Sequence, residues 1–375
     1  MKKIVLLAMA IVGLALLFLS CGGNSTSSVI TPITSTNSFA FLQQKPNSYL
    51  FYPVLGTFTG NQFTTSMVKD PSTGDYVSAD IFSMSLNAKG DKVVFDLYGG
   101  PDYAQPSNQW DIFIGTLDGA NLTQVTNDGA YDELPQFNAA STKIVYSSDG
   151  RDAPGTRVTV IRNVDGTGEQ VLPQPLGAEL TSHPSFSPDG TKIAVEAESM
   201  SASTPFDGIV LMNTDGSNPT LLTNPYVPPN CYCYDREPFF TSDGSHIVFT
   251  RYNSAPDAAD IVNIYIMKTD GTAVTRLTDS RGLNFDPMVI RDSSNNSDRI
   301  LFSSNRDNLS SGAAGFEIYT MKSDGTGLTR LTNNTVYDGF HNQMFFQGTS
   351  SSLVRTQQFR HWPTTPPPPE HRLNW

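Results

Sequence analysis

The chain contains few of the residues that most often carry catalysis or metal binding. Its 375 residues include five histidines, three cysteines and three tryptophans. Basic residues are also scarce, since 24 Lys and Arg stand against 36 Asp and Glu, for a formal net charge of −12. Nucleic-acid binding needs a positively charged face for the phosphates, so the composition argues against a nucleic-acid partner. An acidic surface suits cationic ligands or metal ions without choosing among them.

Sequence motifs of two enzyme classes are missing as well. No Gly-x-Ser-x-Gly nucleophile motif occurs, which excludes an α/β-hydrolase domain in this polypeptide. No glycine-rich phosphate-binding loop is present either. The sequence therefore favours a binding protein over these enzyme classes.

Long apolar stretches are absent except at the N-terminus, where residues 4–19 form an uncharged run after Lys2 and Lys3. This position and these flanks are typical of an export signal. The run ends at Ser20-Cys21, and a Ser/Thr/Asn-rich stretch follows it. The pattern resembles the bacterial lipoprotein signal, in which the cysteine is acylated and becomes the mature N-terminus. The alternative is an ordinary secretory signal beside a chance cysteine.

The lipoprotein resemblance implies a signal peptide at 1–20, lipidation of Cys21 and a flexible tether at 21–37. The lipid alone would then hold the protein at the membrane. Gly22 replaces the Asp that favours inner-membrane retention in such proteins, so we expect an outer-membrane anchor facing the periplasm, or a cell-surface position.

One phrase recurs five times at intervals of about 50 residues, starting at Trp110, Thr156, Asp207, Val262 and Phe316. Repetition at such a period is typical of repeat architectures. Each copy reads as two short strands around an Asp-Gly turn, and a second pair of strand-like runs precedes it. Four antiparallel strands per 50 residues are typical of one propeller blade.

Five complete blades are predicted at about 82–126, 135–172, 184–223, 238–278 and 287–332. A sixth would take its first two strands from the segment starting at Gln343 and its last two from about 37–77, which would pair edges otherwise left open. The sequence thus predicts an all-β, six-bladed β-propeller of four-stranded antiparallel blades over 38–360, with a closing blade shared by N- and C-terminal strands. Seven blades is the alternative count. The Pro-rich tail, 361–375, is predicted to be disordered.

The segments PSFSPDGTKIAV, SSNRD and IYTMKSDGTGLTRLT resemble the TolB-type propeller repeat, and the resemblance covers about 80–350. It implies partner recognition at the mouth of a central channel. Only about fifteen residues separate Cys21 from the first strand-like run, so we expect no counterpart of the α/β domain that precedes the TolB propeller. Functions that depend on that domain are not carried over.

Candidate binding residues fall in the loops predicted to enter the innermost strands of the blades. A ring of carboxylates with two imidazoles suits a divalent cation or a cationic ligand. The structural alternative is that the repeated Asp residues cap loops or bridge blades. His183 and His341 break the repeat and are the stronger functional candidates. The candidate set is Asp132, Glu133, His183, Asp235, Arg236, Glu237, Asp286, Asp338 and His341.

Cys231 and Cys233 flank Tyr232 in a predicted loop between blades. In an oxidising envelope they would form a disulfide, although a ring over one intervening residue is strained. Remaining reduced is the alternative.

These observations together predict a lipid-anchored cell-envelope propeller that acts as a non-catalytic protein-binding scaffold. The expected partner is an envelope protein at the loop face, and no cofactor is expected, although a divalent cation in the channel fits the ring. One alternative is a carbohydrate- or peptidoglycan-associated binding module. Another is a metal-dependent propeller lyase or hydrolase, since His341-Asn342-Gln343 faintly resembles the metal site of oligogalacturonate lyases without its second histidine.

Overall fold

The computed structural model describes residues 38–45, 51–59, 62–67, 81–98, 109–116, 122–150, 156–200, 205–226, 233–253, 262–279, 281–292, 295–308, 315–334 and 336–340. Within these ranges the chain forms 24 β-strands and one short 3-10 turn at Pro175–Gly177. No helix in them is long and apolar enough to cross a membrane. The predicted all-β class is confirmed.

The strands group into four-stranded antiparallel units. Three N-terminal strands come first: β1 (Ser38–Gln44), β2 (Phe51–Thr59) and β3 (Gln62–Met67). The first unit contains β4 (Met84–Leu86), β5 (Lys92–Tyr98), β6 (Trp110–Thr116) and β7 (Leu122–Gln124). The second contains β8 (Tyr131–Phe137), β9 (Lys143–Asp149), β10 (Arg157–Asn163) and β11 (Gln170–Val171). The third contains β12 (Leu180–Phe186), β13 (Lys192–Ser199), β14 (Phe206–Asn213) and β15 (Thr220–Leu221).

The fourth unit contains β16 (Tyr234–Phe240), β17 (His246–Tyr252), β18 (Val262–Lys268) and β19 (Thr275–Arg276). The fifth contains β20 (Asn284–Asp292), β21 (Ser297–Ser304), β22 (Glu317–Lys322) and β23 (Thr329–Arg330). In all five units the strands pair in chain order, from first to fourth. One parallel bridge, Arg157 to Leu180, joins the second and third units into an eight-stranded sheet.

A last sheet, which we name the closing unit, combines both ends of the described chain in the order β24 (Asp338–Gly339), β1, β2, β3. The C-terminal side therefore contributes one described strand and the N-terminal side three, whereas we predicted two from each. The prediction missed β1, which pairs with β24 through Leu42 and Gln43. The strands predicted from Gln343 onward lie outside the described residues.

Apolar clusters fill the spaces between neighbouring units. Val94 of the first unit packs in one cluster with Ile144 of the second, and Val248 of the fourth packs with Ile300 of the fifth. The closing unit is packed on both sides, since Phe41 shares a cluster with Leu301 of the fifth unit and the opposite face of β1 meets the first unit. Burial of such a side chain contributes about 1.5–3 kcal/mol, so these interfaces hold the units together.

The repeated phrase has a structural reason at the same interfaces. Gly271 has φ +81°, and a Cβ added to it would lie 2.9 Å from the carbonyl oxygen of Leu222 in the preceding unit. The Asp-Gly turn thus touches the backbone of its neighbour, where no side chain fits. The threonine that ends the phrase caps its own third strand, as Thr278 does by accepting a hydrogen bond from the Ile264 N–H at 3.0 Å.

Candidate functional site

The first strand of each unit from the second to the fifth carries a kink at the same place, directly before a proline; these strands are β8, β12, β16 and β20. Leu134, His183, Glu237 and Asp286 have φ between 46° and 60°, a left-handed conformation that non-glycine residues seldom adopt. The register with the second strand shifts at each kink, as in a β-bulge. Such strain persists only where the surrounding structure compensates it, and it is common at functional sites.

The kinks line one cavity, to which residues of the five units and of the closing unit contribute. The kinked residues line it together with Ser83 of the first unit and Phe340 of the closing unit. Each unit presents a different side chain at this position. The lining is therefore asymmetric, with an imidazole and two acidic residues against leucine, phenylalanine and the prolines.

Carboxylates of neighbouring units accept the hydrogen bonds of the kinked backbone. The Leu134 N–H donates to Asp96 of the preceding unit at 3.0 Å, and the Asp286 N–H donates to Glu237 at 2.8 Å. Asp96 also accepts both the N–H and the hydroxyl of Ser83, at 2.7 and 2.6 Å. Burial raises the pKa of Asp96 to about 6, although these donors favour the charged form. These carboxylates offset the strain of the kinks.

Glu237 lines the cavity with its oxygens already in use. It accepts hydrogen bonds from the Thr250 hydroxyl at 2.6 Å and the Tyr252 hydroxyl at 3.1 Å, in addition to the Asp286 N–H. Burial and the Glu237 charge raise the pKa of Tyr252, which keeps its hydroxyl a donor. Glu237 is accordingly held in one orientation.

His183 places an imidazole at a position where the other units have a serine, a leucine, a phenylalanine or an acid. Its Nδ1 lies 3.0 Å from Oε2 of Glu196, and its side chain is 16% exposed. Burial would raise the pKa of Glu196, but His183 and then Arg236 outweigh burial and lower this pKa to about 2. The ionised Glu196 contacts the imidazole at Nδ1 and limits its orientation.

Arg236 is buried between the third and fourth units, not at a channel mouth. Its Nη1 lies 2.5 Å from Asp207, and its Nη2 lies 3.4 Å from Glu198. Burial opposes the charge of Arg236, but Asp207 and Glu196 outweigh it and raise its pKa. One guanidinium does not neutralise three carboxylates, so burial raises the pKa of Asp207 to about 7 despite Arg236.

Three further candidates are buried behind the cavity lining. Asp132 accepts the Ser148 hydroxyl at 2.5 Å, Asp235 forms a two-point pair with Arg251 at 2.7 and 2.8 Å, and Asp338 accepts Gln43 at 2.9 Å. All three are fully buried. These residues lie in strands, whereas we predicted loops: Asp132 and Asp235 because β8 and β16 continue through the kink, and Asp338 because it pairs with β1.

The structure thus brings His183, Glu237 and Asp286 to the cavity and places Asp132, Glu133, Asp235, Arg236 and Asp338 between strands and units. Glu133 pairs with Arg157 at 3.0 Å, and burial raises its pKa to about 7 against that pair. His341 lies outside the described residues. Among the residues that are described, no three His, Cys, Asp or Glu side chains converge as metal ligands.

Cys233 is disulfide-bonded, and its partner sulfur lies outside the described residues. Cys21 lies outside them as well.

Sequence reasoning missed the polar groups on second and third strands. Asp96 and Glu196 occupy a second-strand position where other units have the smaller hydroxyls Ser147, Thr250 and Ser303. The acid in place of a hydroxyl was the sequence signal that could have identified Asp96 and Glu196. No such signal marks Asp207, because its position holds a different residue in every copy.

No protein-family model and no curated protein sequence matches the chain. Solved structures do match. TolB from Acinetobacter baumannii has a TM-score of 0.59 and 13% identity, covering 82% of this chain and 66% of that protein, just under two thirds. A putative TolB from Agrobacterium tumefaciens has a TM-score of 0.55 and 15% identity, covering 82% and 92%. Kuenenia stuttgartiensis hydrazine synthase has a TM-score of 0.55 and 13% identity, and the match covers 81% of this chain and 46% of that protein.

The chain therefore has a TolB-like β-propeller fold, which confirms the resemblance seen in the sequence. At these identities the likeness concerns the fold alone. An enzyme is among the matches, so the fold does not decide between binding and catalysis.

Proposed function

We propose that this chain is a lipid-anchored cell-envelope propeller that binds another protein and catalyses no reaction. In this proposal residues 38–360 form a closed ring of six blades, preceded by the signal 1–20 and the tether 21–37 and followed by the tail 361–375. The two-sided packing of the closing unit supports ring closure. The lipoprotein-like N-terminus supports the anchor, with the outer membrane as its site.

The asymmetric cavity ring is the observation that carries the binding role. Six units hold one backbone position in common and vary its side chain, from Leu134 through His183 to Glu237 and Asp286. Such a ring distinguishes one orientation of a bound partner from the others, which a symmetric ring does not. The acids around it accept hydrogen bonds from the chain itself, as Asp96 and Glu237 do, which supports a scaffold over acid–base chemistry.

The binding role is tested by site-specific photo-crosslinking in envelope preparations. A photoreactive amino acid in place of Gln136, which lines the cavity, is expected to give one dominant protein adduct. The same amino acid in place of Asp270, in an exposed Asp-Gly turn, is the matched control and is expected to give none. Equal adducts at both positions, or none at Gln136, would contradict a partner at the cavity.

The anchor is tested by membrane fractionation of the Cys21→Ser variant. We expect the wild-type chain in the membrane fraction and the variant in the soluble fraction. A Cys231→Ser variant, which leaves the N-terminal signal intact, is expected to fractionate like the wild type. Retention of Cys21→Ser in membranes would exclude a lipid anchor at this residue.

The proposal that the chain catalyses no reaction is tested against the metal-dependent alternative by adding metal ions. Thermal unfolding is measured with and without Ca²⁺, Mn²⁺ and Zn²⁺, in the wild type and in His183→Ala. We expect no metal-dependent rise in melting temperature. A rise that His183→Ala abolishes would favour the metal-dependent lyase or hydrolase instead.

A further inference from the structure

We propose that the closing unit is a proton-dependent latch: Asp338 holds a proton while β1 is paired with β24 and releases it when β1 detaches. Acid would then tighten the joint between the two ends of the propeller, and neutral solution would loosen it. The inference rests on contacts around Asp338 and does not depend on the proposed partner or anchor.

Asp338 is fully buried, and its hydrogen-bond donors are neutral. Its two carboxylate oxygens accept Gln43 Nε2 at 2.9 Å and Asn334 Nδ2 at 2.7 Å, and the Thr332 hydroxyl is a third donor. Its own N–H donates to the Phe316 carbonyl at 3.0 Å. The amide of Gln43 comes from β1, so this carboxyl group ties the N-terminal strand to the C-terminal one.

The nearest charged groups do not neutralise Asp338. Glu317 on β22 faces it, and Asn334 joins the two acids by donating its backbone N–H to Glu317 at 2.8 Å. Within the described part of the chain, the cation at this joint is Arg330 on β23, which pairs with Glu317 at 2.6 Å. Among the described residues no donor reaches Oε2 of Glu317. The joint therefore buries two acids with one positive charge.

A buried carboxyl group without a cation favours its protonated form. Burial raises the pKa of Asp338 to about 7 from its ordinary 3.8, aided by the charge of Glu317 and opposed by the hydrogen bonds that its three donors make to the charged form. When β1 detaches, Asp338 meets water and its pKa returns toward 3.8. Pairing of β1 with β24 therefore binds one proton at pH values between 3.8 and about 7. In this window each unit of rising pH increases the detached fraction by up to about tenfold, and the increase levels off above the upper value.

Separation of β24 from β1 breaks few backbone contacts, so it can occur without unfolding the other units. β24 is two residues long and forms two residue pairs with β1. Short terminal pairings open more readily than the long central ladders of a sheet.

The test is native-state hydrogen exchange of the full chain at pH 5.5 and pH 7.5, corrected for the intrinsic rates. We expect the Leu42 amide, which faces β24, to lose at least about tenfold in protection at pH 7.5, while the Phe41 and Gln43 amides, which face β2, keep theirs. In Asp338→Asn the side chain keeps its shape and cannot ionise, so this loss should shrink to less than about twofold.

Asp235→Asn is the matched control, because Asp235 is an equally buried innermost-strand acid that is paired with Arg251. It should leave the pH response of β1 as in the wild type. Equal protection of the Leu42 amide at both pH values in the wild type would overturn the latch, even if Asp338→Asn does not fold. A pH response that survives in folded Asp338→Asn would overturn it as well.

Discussion

Two joints of this molecule solve the same problem in opposite ways. Between the third and fourth units, buried acids surround the guanidinium of Arg236, 2.5 Å from Asp207. In the closing unit, Asp338 is surrounded by amides and a hydroxyl, and the nearby cation belongs to Glu317. With His183 and Arg236 beside it, Glu196 stays ionised at a pKa of about 2, whereas burial raises the pKa of Asp338, which has only neutral donors, to about 7. Asp207 shares Arg236 with two other acids, and burial raises its pKa to about 7 as well. The comparison teaches that joints of one repeat fold differ in their response to acid.

The largest effect should come from removing the cation of the first joint. Arg236→Met leaves Asp207 buried without its counter-charge and Glu196 with His183 alone, and we expect a loss of about 3–5 kcal/mol in the free energy of unfolding. Urea denaturation measures it. Arg281→Met is the control, because the Arg281–Asp307 pair is largely exposed and should contribute less than about 1 kcal/mol. Equal losses in the two variants would remove the contrast between buried and exposed pairs.

The same joint should weaken in strong acid. The pKa of Glu196 lies at about 2 in the folded chain and near 4.5 in the unfolded chain, so its contribution is present above 4.5 and disappears as the pH falls toward 2. Urea denaturation between pH 5 and pH 2 should therefore show a stability loss about 2 kcal/mol larger in the wild type than in Glu196→Gln. Parallel pH profiles would contradict an ionised Glu196.

The closing joint should depend on Gln43 at every pH. Gln43→Leu removes the amide that reaches Asp338 from β1, and an unsatisfied buried acceptor costs about 1–3 kcal/mol. Ser38→Ala, which removes a hydroxyl contact with Thr57 at the other end of β1, should cost less than about 1 kcal/mol. Hydrogen exchange of the β1 amides distinguishes the two. Similar exchange in both variants would show that the Gln43–Asp338 bond does not hold the joint.

The smallest effect concerns the outer side of the Arg236 joint. Gly271→Ala should destabilise the fold by about 1 kcal/mol more than Gly190→Ala. Both glycines have positive φ, but only at Gly271 would the Cβ meet a neighbouring unit, whereas nothing lies within 4 Å at Gly190. Thermal unfolding measures the difference. Equal losses would show that backbone conformation alone selects the glycine.

The repeat itself was predictable because its determinants are local. Turn residues such as Gly271 act at the turn and on the neighbouring unit, and the strand-capping Thr278 acts on the adjacent strand. The glycine therefore recurs in all five copies and the threonine in four, with Pro173 at this position in the second copy. The closing unit was predicted only in part, since pairing of β1 with β24 joins residues about 300 positions apart and leaves no periodic pattern.

The candidate site was harder to predict than the fold. The sequence identified His183 because it departs from the repeat, and Asp286 and Glu237 from their position before a proline. It did not indicate which acids line the cavity and which lie between units, because the kink decides this and a proline alone does not specify the preceding φ. Arg236 reads as a surface residue until its three acidic neighbours, brought in from another unit, are known.

The kink before proline also bears on how such a protein changes over generations. Leu134, His183, Glu237 and Asp286 share one backbone conformation with four different side chains. The conformation therefore does not require any one side chain, and a substitution at Leu134, His183 or Asp286 can change the chemistry of the cavity lining without rebuilding the surrounding sheet. The chemistry of the cavity and the architecture of the sheets can in this way vary independently, one residue at a time.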